Sequence, residues 1–128
     1  MDKLNVLIVE DEKITQDVLA TTLRDNGFEV FTASDGEDGL QQALDKKPDI
    51  TLLDIFMPNM GGIDMLKKLR QDAWGKTALV VMLTNANDPK NVADAVNQGV
   101  YEFLVKKDWK LDDIANRIKT LVKEEQKQ

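Results

Sequence analysis

Five residues with oxygen or ammonium side chains stand where short apolar runs end. Glu10 and Asp11 follow Leu4–Val9, Asp54 follows Ile50–Leu53, Thr84 closes Leu79–Leu83, and Lys106 follows Tyr101–Val105. Clustered carboxylates repel one another and are costly to desolvate unless a cation joins them. The chain has no histidine and no cysteine, so imidazole and thiolate ligands, a histidine general base and a Ser-His-Asp arrangement are all excluded. A metal here must be held by oxygen, which selects a hard cation such as magnesium or calcium. A carboxylate can also act as a nucleophile and accept a phosphoryl group. Such a group needs its equatorial oxygens neutralised, and a cation, an ammonium and a hydroxyl are the right types of group to do so. Each residue alone has a plainer reading: acids after a strand often cap helices or fill turns, and Glu10-Asp11-Glu12 suits the first turn of a helix.

The elements that must bring these residues together are legible as periodicity. The five apolar runs, Phe28–Thr32 being the second, alternate with stretches of helical spacing. The first helix is expected to bury Ile14, Val18, Leu19, Thr22 and Leu23 and to stop at Asn26-Gly27. The second spans about Gly36 to Asp45 and closes before Lys47-Pro48. The third carries Ile63, Leu66 and Leu69. The fourth carries Val92, Ala93 and Val96 and ends at Gly99, and the fifth carries Leu111, Ile114, Ile118, Leu121 and Val122. Alternating strands and helices imply an α/β architecture with a parallel sheet covered on both faces. In such sheets ligands bind outside the carboxyl ends of the strands, so neighbouring first and third strands would gather Glu10, Asp11 and Asp54, with Thr84 and Lys106 entering from the other side.

The 128 residues suffice for one domain. The net charge of −6 opposes direct nucleic-acid binding. The N-terminal apolar stretch is too short for a signal peptide and no run approaches a membrane span, so a cytoplasmic protein is expected. The KEEQKQ end is expected to fray.

Four stretches resemble response-regulator receiver domains: VLIVEDE (6–12), DITLLDIFMPNMGGIDML (49–66), VVMLTNAND (80–88) and GVYEFLVK (99–106). The run from Asp54 to Gly61, with Met57-Pro58 and Met60 at its centre, carries the most specific part of the likeness. The resemblance implies a flavodoxin-like doubly wound (βα)5 sandwich with strand order 2-1-3-4-5. It implies a receiver over residues 1–123 and a polar tail over 124–128. By the same resemblance Asp54 accepts the phosphoryl group, Asp11 ligates magnesium directly with Asp54 and the Phe56 carbonyl, and Glu10 acts through a water. Thr84 bonds the phosphoryl oxygen, Lys106 pairs with it, and Phe103 is the switch aromatic. The implied donor is a histidine kinase or phosphotransfer protein, and the implied output is the face of the fourth helix, fifth strand and fifth helix. The downstream target, or an output domain excised from this chain, is left open. The chain is expected to be no enzyme beyond its own phosphorylation and dephosphorylation, and a monomer that dimerises when phosphorylated.

Three positions depart from the family's pattern. Lys107 replaces the usual proline after the lysine, Asn85 replaces a small residue after the threonine, and Phe56 sets a bulky apolar group two residues beyond Asp54. A haloacid-dehalogenase-like phosphatase would need a second aspartate at position 56. A flavin carrier would need a phosphate-cradling loop where Glu10-Asp11-Glu12 stands. A phosphorylation-independent receiver-like interaction module is the remaining alternative.

Overall fold

The computed structural model describes residues 3–84, 89–100, 102–105 and 110–126, with side chains at all of these but 84, 89–92, 103, 125 and 126. Strands β1 (Asn5–Val9), β2 (Glu29–Ala33), β3 (Ile50–Leu53), β4 (Val80–Thr84) and β5 (Glu102–Val105) alternate with helices α1 (Lys13–Asp25), α2 (Gly36–Lys46), α3 (Gly62–Leu69), α4 (Pro89–Asn97) and α5 (Leu111–Gln126). The strands form one parallel sheet in the order β2-β1-β3-β4-β5. This is the doubly wound flavodoxin-like arrangement, and the order reverses between β1 and β3.

Side chains alternate across a strand, and this sheet buries both sets. Val6, Ile8, Ile50, Leu52, Val81, Leu83 and Leu104 face one layer with Leu19, Ala20 and Leu23 of α1 and Ile114, Ile118 and Leu121 of α5. Leu7, Val9, Leu53, Val80 and Met82 face the other, with Ala43 of α2, Met65, Leu66 and Leu69 of α3 and Ala95 of α4. Strands buried on both faces read as continuous apolar runs, which is why LNVLIV and ITLL show no alternation. Truncating a fully buried leucine in such a core costs about 2–5 kcal/mol, so the two layers hold the strand register firmly.

Two helices bury faces that periodicity does not fully pick out. In α1 the expected Leu19 and Leu23 are buried, but Gln16 and Ala20 complete the inward stripe, while Ile14 is 78% exposed and Val18 also faces outward. The spacing 16-19-20-23 is as helical as 14-18-22, and only a polar residue at its head disguised it. In α4 Ala95 is buried while Ala93 and Val96 are exposed; a nine-residue helix is too short for its own pattern to decide the face. Helix α5 continues to Gln126, so residues 123–126, expected to fray, are helical; among the described side chains of the helix Val122 is the last that is buried.

The connection from α3 to β4 contains a single 3-10 turn, Gly75–Thr77, for which periodicity gives no cue. Asp72 accepts the N–H groups of Trp74 and Gly75 at 2.9 and 2.8 Å. Arg70 then gathers four backbone carbonyls: Nε donates to Gln98 at 2.6 Å, Nη1 to Gly75 and Ala78 at 2.8 and 2.7 Å, and Nη2 to Gly99 at 2.8 Å. One guanidinium thereby ties the end of α4 to the entry of β4. Burial holds its pKa below the usual arginine value, yet hydrogen bonds to a charged donor are the stronger kind. Arg70→Ala removes these bonds and strands carbonyls that are partly buried. A loss of about 2–4 kcal/mol of unfolding free energy is expected by urea denaturation, and a loss below 0.5 kcal/mol, the ordinary surface range, would contradict this account.

Candidate functional site

The site grows out of strand register. Val9 pairs with Leu53 at the ends of β1 and β3, and the pairing runs one step further, with the Asp54 N–H donating to the Val9 carbonyl at 3.1 Å. Glu10 therefore lies level with Asp54. On the other side of β1 the Glu10 N–H donates to the Ala33 carbonyl at 2.9 Å. Carboxylate oxygens of Glu10, Asp11 and Asp54 lie within 4.8 Å of one another. Glu10 is 3% exposed, Asp54 is partly buried and Asp11 is exposed, so the cluster has a buried wall and an open mouth. At such a separation each pair of charges repels by about 3 kcal/mol with an effective dielectric near ~20.

Local hydrogen bonds orient the acids. Asp54 Oδ1 accepts the Ile55 N–H at 2.8 Å, and Glu10 Oε2 accepts the Glu12 N–H at 3.2 Å. Glu12 in turn accepts the Thr15 hydroxyl. Gln16, buried in α1, donates Nε2 to the carbonyls of Glu10 and Ala33 and to Ser34 Oγ at 2.9, 3.1 and 3.2 Å.

The loop between β3 and α3 is held by close backbone approach. Gly62 donates its N–H to the Ile55 carbonyl at 2.8 Å, and a Cβ there would lie 1.9 Å from the Asp54 carbonyl oxygen. Gly36 is equally confined: its N–H donates to the Met60 carbonyl at 3.0 Å, and a Cβ would lie 2.2 Å from that oxygen. Asp35 completes the latch. It caps α2 through the Asp38 N–H at 2.9 Å and accepts Asn59 Nδ2 at 2.9 Å, with Asn59 itself in the left-handed region at φ 66°. Phe56, carried by this loop, is 60% exposed.

The structure thus brings Glu10, Asp11 and Asp54 together as their places at the strand ends predict, and Phe56 lies in the loop that Asp54 opens. Thr84 ends β4 in register with Val105. The Thr84 and Phe103 side chains, and Tyr101, Asn85, Lys106, Lys107 and Trp109, lie outside the described residues. Periodicity and strand ends did not disclose Gln16, Asp35, Asn59, Gly36 or Gly62. Asp35-Gly36 with Asp38 three residues after Asp35 is a cap signal, whereas Gln16 has no local signature because its partners are backbone groups distant in sequence.

The response regulator receiver domain model matches residues 6–119. The chain belongs to that family. Among curated relatives, the KDP operon transcriptional regulatory protein KdpE of Escherichia coli is 35% identical over 102 residues, 80% of this chain and 44% of that protein. Among solved structures, a CheY-like receiver domain protein of Methanospirillum hungatei superposes with a TM-score of 0.91 at 25% identity, covering 98% of each chain. The structure of the CheX-CheY-BeF3-Mg+2 complex of Borrelia burgdorferi gives 0.82 at 30% identity over 92% of this chain and 88% of that one. This receiver spans about half the length of the curated relatives it matches. Receivers are regulatory signalling domains of two-component systems rather than enzymes in the ordinary sense, they interact with histidine kinases and downstream targets, and they typically bind magnesium at an acidic pocket. The all-oxygen donor set of Glu10, Asp11 and Asp54 fits such a hard cation. No helix of the described residues is long and apolar enough to cross a membrane.

The latch makes a prediction about pH. The Asp38 N–H, then the Asn59 amide, hold the Asp35 carboxyl below the usual aspartate range. A depressed native pKa contributes stability above the unfolded value of about 3.9 and loses it as pH falls through the lower native value. The stability difference between the parent and Asp35→Ala should therefore be constant above about pH 5 and shrink below about pH 4, as measured by urea denaturation across that range. A difference that grows on acidification would be incompatible with the latch.

Proposed function

We propose that this receiver is a phospho-accepting switch in which Asp54 takes a phosphoryl group from a phosphohistidine of a histidine kinase or phosphotransfer protein. The observation that carries the reading is the convergence of Asp54 with Glu10 and Asp11 within 4.8 Å at the carboxyl edge of the sheet. The Asp54 carboxylate oxygen attacks phosphorus in line, a P–O bond forms as the donor's P–N bond breaks, and the electron pair leaves with the imidazole. The Ile55 N–H on Oδ1 fixes the plane of the carboxylate and so the direction of attack. Asp11, Asp54 and the Phe56 carbonyl would hold magnesium, with Glu10 reaching it through a water. When bound, magnesium supplies charge neutralisation for the carboxylates and the phosphoryl oxygens. Thr84 and Lys106 complete the set as hydroxyl donor and cation. Hydrolysis by water returns Asp54 and inorganic phosphate.

Phosphorylation adds roughly −1.5 to −2 charges and three strong acceptors. A two-state element must read that change, and we assign it to Thr84, Phe103 and α4, with the α4-β5-α5 face as the output. In support, β4 and β5 are hydrogen-bonded neighbours, Val96 of α4 is 61% exposed, and Arg117 of α5 pairs with Glu102 of β5. The downstream partner is a protein target or an output domain joined to this receiver. Residues 1–123 form the switch and 124–128 a polar tail. The same reading makes the protein cytoplasmic, monomeric until phosphorylated and then dimeric.

Two outcomes test it. Incubation with a small-molecule phosphodonor should add one phosphoryl group to the intact mass in the presence of magnesium, and none without magnesium or in Asp54→Ala. No gain in a folded parent that binds magnesium would favour a phosphorylation-independent interaction module. Phe56 is expected to impede the attacking water and so lengthen the phosphoryl lifetime. Phe56→Asn should lose phosphate several-fold faster, a barrier change of about 1 kcal/mol, and decay as slow as in the parent would remove Phe56 from the account.

A further inference from the structure

Gln16 is an amide in the buried stripe of α1, where the neighbouring inward positions are Leu19, Ala20 and Leu23. It is 3% exposed. A buried amide that found no partners would cost about 1–3 kcal/mol, and this one spends its donors on the turn that carries the acids. Nε2 lies 2.9 Å from the Glu10 carbonyl, 3.1 Å from the Ala33 carbonyl and 3.2 Å from Ser34 Oγ. The Glu10 N–H donates to the same Ala33 carbonyl. Glu10 is thus held on both sides of its Cα, its N–H by β2 and its carbonyl by Gln16. That carbonyl belongs to the peptide joining Glu10 to Asp11, and its orientation sets where the Asp11 side chain departs.

We propose that Gln16 is a positioning residue for the cation site: it fixes the Glu10–Asp11 peptide so that the exposed Asp11 carboxylate is set toward Asp54 before the cation arrives. The inference rests on reading the Glu10-Asp11-Asp54 cluster as a magnesium site. Carboxylates this close repel one another, and the orientation of the Glu10–Asp11 peptide limits where the exposed Asp11 side chain can lie. Fixing the peptide moves the ordering cost from the binding step into folding, which raises affinity without adding a ligand.

Gln42 supplies the control. Its Nε2 also holds β2, donating to the Thr32 carbonyl at 2.8 Å and to Asp38 Oδ2 at 3.0 Å, and those bonds do not reach the Glu10–Asp11 turn. Magnesium affinity of the whole chain is measured by calorimetric titration for the parent, Gln16→Met and Gln42→Met, with circular dichroism melts to establish that each is folded. Outer-shell partners of metal ligands typically contribute 10–100-fold in affinity. Gln16→Met should bind magnesium about tenfold more weakly while Gln42→Met binds as the parent does. Equal affinity in Gln16→Met and the parent overturns the proposal, as does an equal loss in Gln42→Met. Should Gln16→Met not fold, the parent decides by nuclear magnetic resonance. Its Gln16 side-chain amide signals, held by the Glu10 and Ala33 carbonyls, should already stand apart from those of exposed amides without magnesium and keep their hydrogen-bonded positions when it is added, and Gln16 signals that resemble a free amide until magnesium is added overturn the proposal. A parent that binds no magnesium overturns the cation-site reading itself, a result distinct from the others.

Discussion

Three carboxylates held within 4.8 Å of one another are the arrangement on which the functional account rests. Left to themselves they separate, since each pair repels by about 3 kcal/mol at that distance. Strand register brings the backbones of Glu10 and Asp54 together at the ends of β1 and β3, and Asp11 follows in the turn. Glu10 and Asp54 lie level with each other, one step past the Val9–Leu53 pair that ends a parallel ladder, and that ladder is locked by apolar layers on both faces of the sheet. Sliding β1 against β3 by one residue would turn every leucine and valine of the strand to the wrong layer, so the repulsion is overcome by hydrophobic burial some distance from the charges. An all-oxygen cluster of this kind fits a hard cation, which relieves the repulsion among neighbouring carboxylates.

The loops after β2 and β3 at this edge are held by close backbone approach. Gly36 and Gly62 each bring the chain so near a carbonyl that no Cβ fits. Asp35 and Asn59 bridge the two loops, and Gln16 braces the turn after β1 from beneath. A site built to accept a transferring group gains from such preorganisation, since geometry near attack replaces entropy otherwise lost at the reaction step. The far side of the molecule is tied differently. Arg70 binds the end of α4 to the start of β4 through carbonyls alone, which anchors one end of the helix assigned to the output face.

The family's relatives include transcriptional regulators about twice the length of this chain. The receiver is thus a unit that serves both within longer proteins and as the whole of a solved chain such as that of Methanospirillum hungatei, of which this chain covers 98%. In either setting the acid cluster is local to the carboxyl ends of β1 and β3.

Much of this was legible in the residues alone. Five apolar runs placed the strands to within a residue or so at each end, and the acids at their carboxyl ends named the site, because a strand's type and end depend on local sequence. The Asp54 to Gly61 run and its companions carried the family. Leu19 and Leu23 of α1 were legible, but the rest of its buried face and that of α4 were not, since only contact with the sheet decided them. Gln16 shows the limit most clearly. Its residue type argues for an exposed position, and its burial follows only from carbonyls at Glu10 and Ala33 that the fold brings to it. Residue type and local spacing determined the elements and which acids stand at the strand ends; the side-chain partners and the braces between loops were decided by tertiary structure, because they depend on groups distant in the chain that meet only once the sheet is built.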